Sequence, residues 1–308
     1  MVTKILITGA TGLVGKALTQ HCLAAGIAVN YLSTRAISDT QQPGLHGFLW
    51  NPTTGTIDLN CFEGVQAIIN LAGSPINAPW SFKGRALILQ SRINSLSCLR
   101  NGLNACSNHS VSYLVSASAI GIYPSSETAW YTEEKEHADA GFLASVVRQW
   151  EAEARQFELL NIKTGILRIG LVLARRGGVL PVLAQPIRLG LGAPFGSGKQ
   201  WQSWIHISDL VDLFCFALNN RLEGVYNAVA PNPVTQTKLI KAVARCLKRP
   251  VWLPSIPASV LKIALGSRAV LVLASQRVSA HKIQESGFSF RYANLVAALE
   301  NLLEGKKQ

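Results

Sequence analysis

The sequence TGATGLVG, residues 8–15, lies between an apolar run at residues 4–7 and a segment at residues 16–25 that is predicted to be helical. Strand, glycine turn and helix are the context in which such glycines indicate a dinucleotide site. Gly9 permits a tight turn, Gly12 lets the backbone approach a pyrophosphate, and Gly15 lets the helix pack close to the strand. The pyrophosphate is then expected against the unpaired N–H groups at the start of the helix. The alternative is a tight strand-to-helix turn that binds nothing.

The end of the second predicted strand, residues 28–32, indicates which dinucleotide is bound. NAD sites usually place an acidic residue about 20 positions after the glycines, where it bonds the ribose 2′-hydroxyl. This chain has Thr34 and Arg35 there instead. A hydroxyl and a cation with a bidentate fork suit a 2′-phosphate. We therefore expect NADP(H), the alternative being an ordinary surface arginine in a loop.

Composition limits the other classes of function. The 308 residues are 48% hydrophobic and carry a formal charge of +12, from 29 Lys+Arg and 17 Asp+Glu. The basic residues are scattered, without an aromatic-interleaved basic stripe or a nucleic-acid motif, so no nucleic-acid partner is expected. The six cysteines show no metal-ligand spacing, and no metal site is predicted. Lys262 and Arg268 interrupt the most apolar stretch, so we expect no membrane span and a cytoplasmic protein.

The rest of the chain alternates between predicted strands and helices. Strands are predicted at residues 65–71, 113–116, 166–172 and 225–228, and helices at residues 84–106, 142–160, 208–218, 235–247 and over most of 258–303. This alternation implies a parallel sheet with right-handed crossovers, and hence an α/β, Rossmann-type doubly wound fold. Ser208 or Asp209 fits the N-cap of its helix. The glycine-rich residues 190–201 lack long periodicity and are interpreted as a loop that walls a substrate site.

These motifs together resemble the extended short-chain dehydrogenase/reductase superfamily, in which TGATGLVG, NLAG, SASAIGIYP, LRIGLVL and WIHISDL occur in this order. GSGKQWQSWIH, FLASVVRQWEAEA and SQRVSAHKIQESGFSFRY resemble its atypical epimerase-like branch, the YfcH or SulA type. The resemblance covers essentially the whole chain. It implies an NADP-binding Rossmann domain at residues 1–175 plus about 205–230. It also implies a smaller C-terminal substrate lobe at residues 176–204 and 231–303, in which residues 255–303 form a helical module.

The resemblance also implies a set of cofactor contacts. The pyrophosphate loop falls on Gly9, Thr11, Gly12, Leu13 and Gly15, and the 2′-phosphate site on Thr34 and Arg35. The backbone of Leu71 and Ala72 falls beside the adenosine ribose, and Gly73 ends the same strand at a place where backbone can face a cofactor. Arg92 matches a recurring helix arginine that contacts the cofactor, although it is alternatively a helix-surface cation. Val172 matches a position near the nicotinamide.

Typical members of the superfamily use a serine to polarise the substrate oxygen and a Tyr–Lys pair at YxxxK spacing to transfer the proton. Ser118 matches the serine, but the tyrosine and lysine positions fall on Leu143 and Val147, neither of which moves a proton. Tyr123 follows Ser118 by five positions and is our candidate for an acid–base role. Its alternative is a packed aromatic residue at a turn.

Further side chains have two interpretations each. Lys199 and His206 are weaker candidates than Tyr123 for the proton donor. His206 fits better as a structural residue that bonds backbone at a strand end. The aromatic residues Phe195, Trp201 and Trp204 stack on a substrate or belong to the core. Arg168 is a buried ion-pair partner or contacts a substrate anion, and burial requires it to have a partner.

We therefore expect an NADP(H)-binding epimerase or oxidoreductase-like protein that acts on an unidentified small molecule and lacks the YxxxK pair. The alternative is a catalytically silent, NADP-dependent regulatory or protein-interaction module.

Overall fold

The computed structural model describes residues 2–37, 42–134 and 141–304. Its strands are β1 Lys4–Thr8, β2 Ala28–Ser33, β3 Leu45–Asn51, β4 Thr56–Ile57, β5 Ala67–Asn70, β6 Tyr113–Ala119, β7 Trp130–Tyr131, β8 Lys163–Ile169, β9 Leu171–Leu173, β10 Trp201–Gln202, β11 Trp204–His206, β12 Gly224–Ala228, β13 Val234–Thr235 and β14 Arg277–Val278. Its α-helices are α1 Leu13–Ala24, α2 Phe82–Ala105, α3 Phe142–Arg155, α4 Leu180–Arg188, α5 Ile207–Asn220, α6 Gln236–Cys246, α7 Ala258–Leu265, α8 Val270–Leu273, α9 His281–Glu285 and α10 Leu295–Leu303.

The largest sheet has eight strands in the order β12-β8-β6-β5-β1-β2-β3-β4. The pairs β1–β2, β1–β5, β2–β3 and β5–β6 are parallel, and only the short β4 is shown to run antiparallel to its neighbour. The strand order reverses at β1, between β2 and β5. In open α/β sheets ligands bind outside the carboxyl ends of the strands at such a switch point. The predicted Rossmann-type α/β fold is confirmed.

The chain divides by packing into two compact units. Unit 1 comprises Met1–Ala119, Ala140–Leu167 and Val211–Val225, and unit 2 comprises Ile120–Asp139, Arg168–Leu210 and Tyr226–Gln308. The boundaries inferred from the sequence divide the chain by function, into a cofactor-binding domain and a substrate lobe. The two packing units do not test that division, which remains a prediction.

The sequence located most elements of unit 1 but not all of their ends. Helix α1 begins at Leu13, three residues before the predicted start, because the turn from Gly9 already leads into helix. Strands β3 and β4 were not predicted, since they follow no clear alternation of apolar and polar residues. The predicted helix at 142–160 ends as an α-helix at Arg155 and continues as a 3₁₀-helix to Leu160.

The predicted strand at residues 166–172 is two strands, β8 and β9, separated at Gly170. The Gly170 N–H donates to the Ala228 carbonyl, and a Cβ on Gly170 would lie 2.4 Å from the Ser203 carbonyl oxygen. Only glycine therefore fits where the chain passes from one strand pairing to the next. Strand β9 pairs in parallel with β11 in unit 2.

The N-cap predicted at Ser208 or Asp209 is wrong, because helix α5 already begins at Ile207. The Ser208 N–H donates to Nδ1 of His206 at 3.1 Å, so a histidine side chain serves the first turn. The buried carboxylate of Asp209 instead accepts N–H groups from Arg291 and Tyr292. Tertiary contacts, rather than local capping, explain the acid at this position.

The glycine-rich residues 190–201 form a loop that is firmly anchored inside unit 2. Gln200 donates to the Phe195 and Val272 carbonyls, and Gln236 accepts the Phe195 N–H. Helix α4 precedes the loop and was not predicted, since Pro181 and Pro186 obscure its apolar face. The interpretation of this loop as a substrate wall stays a prediction.

Trp204 belongs to the core of unit 2. Its side chain is fully buried with Leu239 and Leu299, and its Nε1 donates to the Asn232 carbonyl at 3.0 Å. Of the two interpretations of this residue, the structure supports the core.

Helices in the described ranges are all too short or too polar to cross a bilayer. Within the same ranges, no three His, Cys, Asp or Glu side chains are grouped as metal ligands would be.

Candidate functional site

In the glycine turn between β1 and α1, backbone packs closely against backbone, and glycine is required at two positions. Gly9 has a φ of +66°, and a Cβ there would lie 2.9 Å from the Leu71 carbonyl. A Cβ on Gly15 would lie 2.2 Å from the Gly9 oxygen, so glycine is needed for close packing. At Gly12 a Cβ would meet only that oxygen, at 3.2 Å, which leaves its outer side open.

The start of α1 has no side-chain cap. Gly12 is the N-cap residue, no side chain accepts a hydrogen bond there, and the first turn contains no acidic residue. Leu13 is the first helical residue, and Thr11 is exposed beside it. Uncapped N–H groups and the positive end of the helix dipole make such a terminus a site for anions.

Thr8, at the end of β1, organises the neighbouring strand ends. Its buried hydroxyl donates to Asn70 at 2.7 Å and accepts the N–H groups of Leu71 and Ala72 at 3.0 and 3.1 Å. Asn70 in turn donates to Ser116 on β6 at 3.2 Å. The Leu71 and Ala72 N–H groups are therefore already hydrogen-bonded within the protein.

Thr34 and Arg35 follow β2 and are both exposed. The Ser33 hydroxyl holds the turn, since it accepts the Arg35 N–H at 3.0 Å and donates to the Arg35 carbonyl at 2.9 Å. The Arg35 guanidinium has no ion pair within the described ranges. A backbone held in place with a free cation at its tip suits recognition of a phosphate.

Arg92 of α2 is packed against the end of β5. Its Nη1 donates to the carbonyls of Ile88 at 2.7 Å and Ser74 at 3.2 Å, and its guanidinium lies 5.0 Å from the Trp150 ring centre. A Cβ at Gly73 would lie 3.1 Å from the guanidinium carbon. Burial lowers the pKa of Arg92 to about 10. Arg92 is thus an anchored, partly buried cation, not a free helix-surface one.

Ser118, at the end of β6, is buried and already has a partner. Its hydroxyl donates to Glu151 of α3 at 2.7 Å, and Glu151 also pairs with Arg155 at 3.4 Å. Glu151 lies four residues after Val147, on the same helix face, a spacing that could have pointed to it. A buried serine bound to a carboxylate is held in one orientation.

Tyr123 lies in unit 2 with its hydroxyl fully buried. It donates to Asn227 at 2.7 Å and accepts from Arg168 at 3.0 Å, while its ring stacks on Tyr131 at 5.2 Å. Burial raises the pKa of Tyr123, although the Arg168 guanidinium opposes this. Arg168 thus has a partner, as its burial required.

The positions of the missing catalytic pair lie on α3. Leu143 is half-buried and Val147 is buried. Among the weaker candidates, Lys199 is exposed, whereas His206 is buried and stacked on Tyr292 at 3.9 Å. Because His206 accepts the Ser208 N–H, its interpretation as a residue that bonds backbone at a strand end is confirmed.

Val172, the residue expected near the nicotinamide, lies in β9 of unit 2 and is half-buried opposite Ile205.

Comparison with known proteins shows the family to which the chain belongs. The model of the NAD dependent epimerase/dehydratase family matches residues 5–228. The chain belongs to this family. Residues 256–302 match a separate domain of unknown function, DUF1731. The second match coincides with the predicted helical module at 255–303.

Members of the epimerase family similar to this chain extend over nearly its full length. The chloroplastic SDR39U1 homologue of Arabidopsis thaliana is 36% identical over 97% of this chain and 86% of its own. The protein SAR0825 of Staphylococcus aureus is 34% identical over 97% of this chain and 99% of its own. The crystal structure of human epimerase family protein SDR39U1 with NADPH has a TM-score of 0.85 at 31% identity, covering 98% of this chain and 99% of that one.

Sequence reasoning missed Thr8, Asn70, Glu151 and Asn227. Three of them are polar residues inside or at the ends of apolar elements, a weak signal for buried hydrogen bonding.

Proposed function

We propose that this protein binds NADP(H) at the glycine turn of unit 1 and acts as an epimerase or oxidoreductase-like protein on a small molecule. The observation that carries the proposal is the uncapped start of α1 behind a glycine turn whose outer side is open at Gly12. The human relative, 31% identical over nearly the whole chain, was crystallised with NADPH.

The residues present fit the phosphorylated cofactor. The pyrophosphate would be held by the N–H groups that follow Gly12, in a turn that Gly9 and Gly15 allow to be compact. Arg35 and Thr34 would take the 2′-phosphate, since an exposed guanidinium forms bidentate bonds to phosphate. Arg92, anchored at Gly73, and the backbone at Leu71 and Ala72 would line the adjoining edge, and Val172 would lie toward the nicotinamide.

The chemistry rests on fewer residues than usual. NADPH, when bound, supplies a hydride. Ser118 would orient a substrate oxygen, and Glu151 would fix the direction of its hydroxyl. Tyr123 is our candidate proton donor, and its use would require the hydrogen bond to Asn227 to be exchanged for one to substrate. Proton-transfer assistance is worth about 10²–10⁴ in rate, so an enzyme without it would be slow.

A specific observation favours the second candidate, a catalytically silent NADP-dependent regulatory or interaction module. Both proposed catalytic hydroxyls are buried and hydrogen-bonded within the protein, and Leu143 and Val147 replace the Tyr–Lys pair.

We also propose the finer assignments of this chain, to the YfcH or SulA type of short-chain dehydrogenase/reductase and to the cytoplasm. Free thiols at all six cysteines suit a reducing compartment.

The first test is a fluorescence titration of the purified protein with NADPH and NADH, followed by a panel of carbonyl compounds, quinones and nucleotide sugars. Tighter binding of NADPH and its oxidation by one compound class would support an enzyme. Tight binding without turnover would support the regulatory module, and no binding would contradict the proposal.

If turnover is found, Ser118→Ala and Tyr123→Phe test the assigned roles. Both should lower kcat, with NADPH affinity unchanged. The matched control is Tyr226→Phe. Tyr226 is a half-buried tyrosine of unit 2 that packs against Lys282. Unchanged kcat in both variants would remove these residues from the mechanism.

A further inference from the structure

Arg277 of unit 2 has an unusual environment for a charged side chain. Its guanidinium carbon lies 4.1 Å from the Trp130 ring centre and 4.2 Å from the Trp201 ring centre. Stacking against an indole stabilises a guanidinium by about 0.5–2 kcal/mol, and tryptophan is the best ring for it. The cation is thus held at its faces by two aromatic rings.

Among the described residues, no hydrogen bond to the edge of this guanidinium is seen at Nε, which is buried. Arg277 also forms no ion pair with any described carboxylate. The acid on the adjoining loop, Glu127, directs its carboxylate to the Ser197 hydroxyl at 3.1 Å. A partly buried charge whose edge donors lack acceptors is costly unless a ligand or water supplies them.

The surrounding contacts hold this arrangement in place. Arg277 pairs with Trp130 in the short parallel sheet of β14 and β7. The Trp201 indole donates to the Glu127 carbonyl at 2.9 Å, and its main-chain N–H donates to Ser275 at 3.1 Å. Gln276, next to Arg277, donates its N–H to the Trp201 carbonyl at 3.1 Å. The Trp201 ring and the backbone of Trp130 are therefore held in place before any ligand arrives, which lowers the ordering cost of binding.

The cluster of Arg277, Trp130 and Trp201 lies on the face of the β7–β14 sheet that is opposite to Tyr123. Successive side chains of a strand point to opposite faces. Tyr131 is buried and stacks on Tyr123, whereas its neighbour Trp130 is exposed. Arg277, in register with Trp130, lies on the exposed face of β7 and β14.

We propose that Arg277, with Trp130 and Trp201 against its guanidinium, forms an oxyanion-binding site for the phosphate or carboxylate group of a small molecule. The planar fork of the guanidinium matches both groups, and the indoles leave its edge as the part available for bonding. Every residue that forms this site lies in unit 2, whereas the glycine turn lies in unit 1.

The test titrates the full chain with inorganic pyrophosphate and, separately, with succinate at constant ionic strength. Trp130 and Trp201 are two of the seven tryptophans that contribute to the fluorescence signal, and calorimetry gives the affinity. We expect saturable binding of at least one anion, weakened about tenfold or more in Arg277→Gln, since charged hydrogen bonds contribute about 1.5–3 kcal/mol. The anion that binds identifies the ligand as a phosphate or a carboxylate.

Arg249→Gln removes an equal charge from an exposed position of unit 2 and should bind like the unaltered protein. Arg277→Lys keeps the positive charge but not the planar guanidinium, and it should also weaken anion binding. If Arg277→Gln does not fold, Arg277→Lys is compared with the unaltered protein instead. Failure of both anions to bind saturably, or equal affinities in the Arg277 variants and the unaltered protein, would overturn the proposal.

Two comparisons separate this site from the glycine turn. Arg277→Gln should retain the NADPH affinity of the unaltered protein, and Gly12→Val should retain the part of the anion binding that Arg277→Gln loses. Anion binding lost in Gly12→Val but kept in Arg277→Gln would place the anion at the glycine turn and contradict the proposal. Loss of NADPH binding alone would bear only on the proposed function.

Discussion

Arg35 is the residue on which the choice between the two nicotinamide cofactors depends. Its backbone is fixed by Ser33, whereas its side chain is exposed. Arg35→Ala should weaken NADPH by about 1.5–3 kcal/mol, the range for hydrogen bonds to charged groups, with little effect on NADH. Fluorescence titrations of both cofactors measure this. An equal loss for NADPH and NADH would contradict a 2′-phosphate contact.

Gly12 and Gly15 make a pair in which the same kind of substitution should have different consequences. Gly12 has an extended backbone, which any residue adopts, and an open side, so Gly12→Val should keep the fold and abolish binding of both cofactors. Gly15→Ala should lower stability by about 1–3 kcal/mol, because its Cβ would overlap the Gly9 carbonyl. Thermal unfolding and titration together separate the two effects. Retained NADPH affinity in Gly12→Val would refute backbone approach at this turn.

At the scale of elements, buried polar side chains join segments that are distant in the chain. Asp209 of α5 accepts the N–H groups of Arg291 and Tyr292, just before α10. Thr8 joins β1 to the end of β5 in the same way within unit 1. Neither contact follows from strand or helix periodicity, because periodicity describes which face of an element is buried but not which polar group meets it.

Asp209→Ala should lower the free energy of unfolding by about 1–3 kcal/mol, since buried N–H groups would lose their acceptor. Urea unfolding measures the difference. Asp212→Ala on the same helix is the control: Asp212 is only partly buried and lies 3.9 Å from His21, and surface pairs contribute less than about 1 kcal/mol. Equal losses in the two variants would show that Asp209 does not hold the segment at 291–292.

At the scale of the whole molecule, stability should depend on pH through His206. Burial lowers its pKa from the usual 6.5 to about 4. Between these values the unfolded chain binds more protons than the folded one, so the contribution of neutral His206 is present above about pH 6.5 and is lost as the pH falls toward 4. The loss should reach roughly 3 kcal/mol.

Thermal unfolding from pH 7 to pH 4 measures this dependence in the unaltered protein and in His206→Gln. We expect a flatter profile in the variant. His21→Gln, which removes a partly exposed histidine, is the control variant. Identical profiles in the unaltered protein and His206→Gln would assign the acid sensitivity to other groups.

The sequence by itself determined the α/β Rossmann-type fold and the position of the glycine turn. These follow from local physics, since apolar strands, glycines with special backbone geometry and amphipathic helices are encoded within short windows. The missing Tyr–Lys pair at Leu143 and Val147 was visible for the same reason, because YxxxK is a local spacing on one helix.

Only the tertiary structure decided the partners of the polar side chains. Ser118 meets Glu151, Tyr123 meets Asn227, and Arg277 meets Trp130 and Trp201, across separations of 33, 104 and up to 147 residues. Packing chooses such pairs, because a buried polar group must find an acceptor or donor wherever the fold brings one near. The sequence gives no local signal for that choice, and the orientation and pKa of each candidate group depend on it.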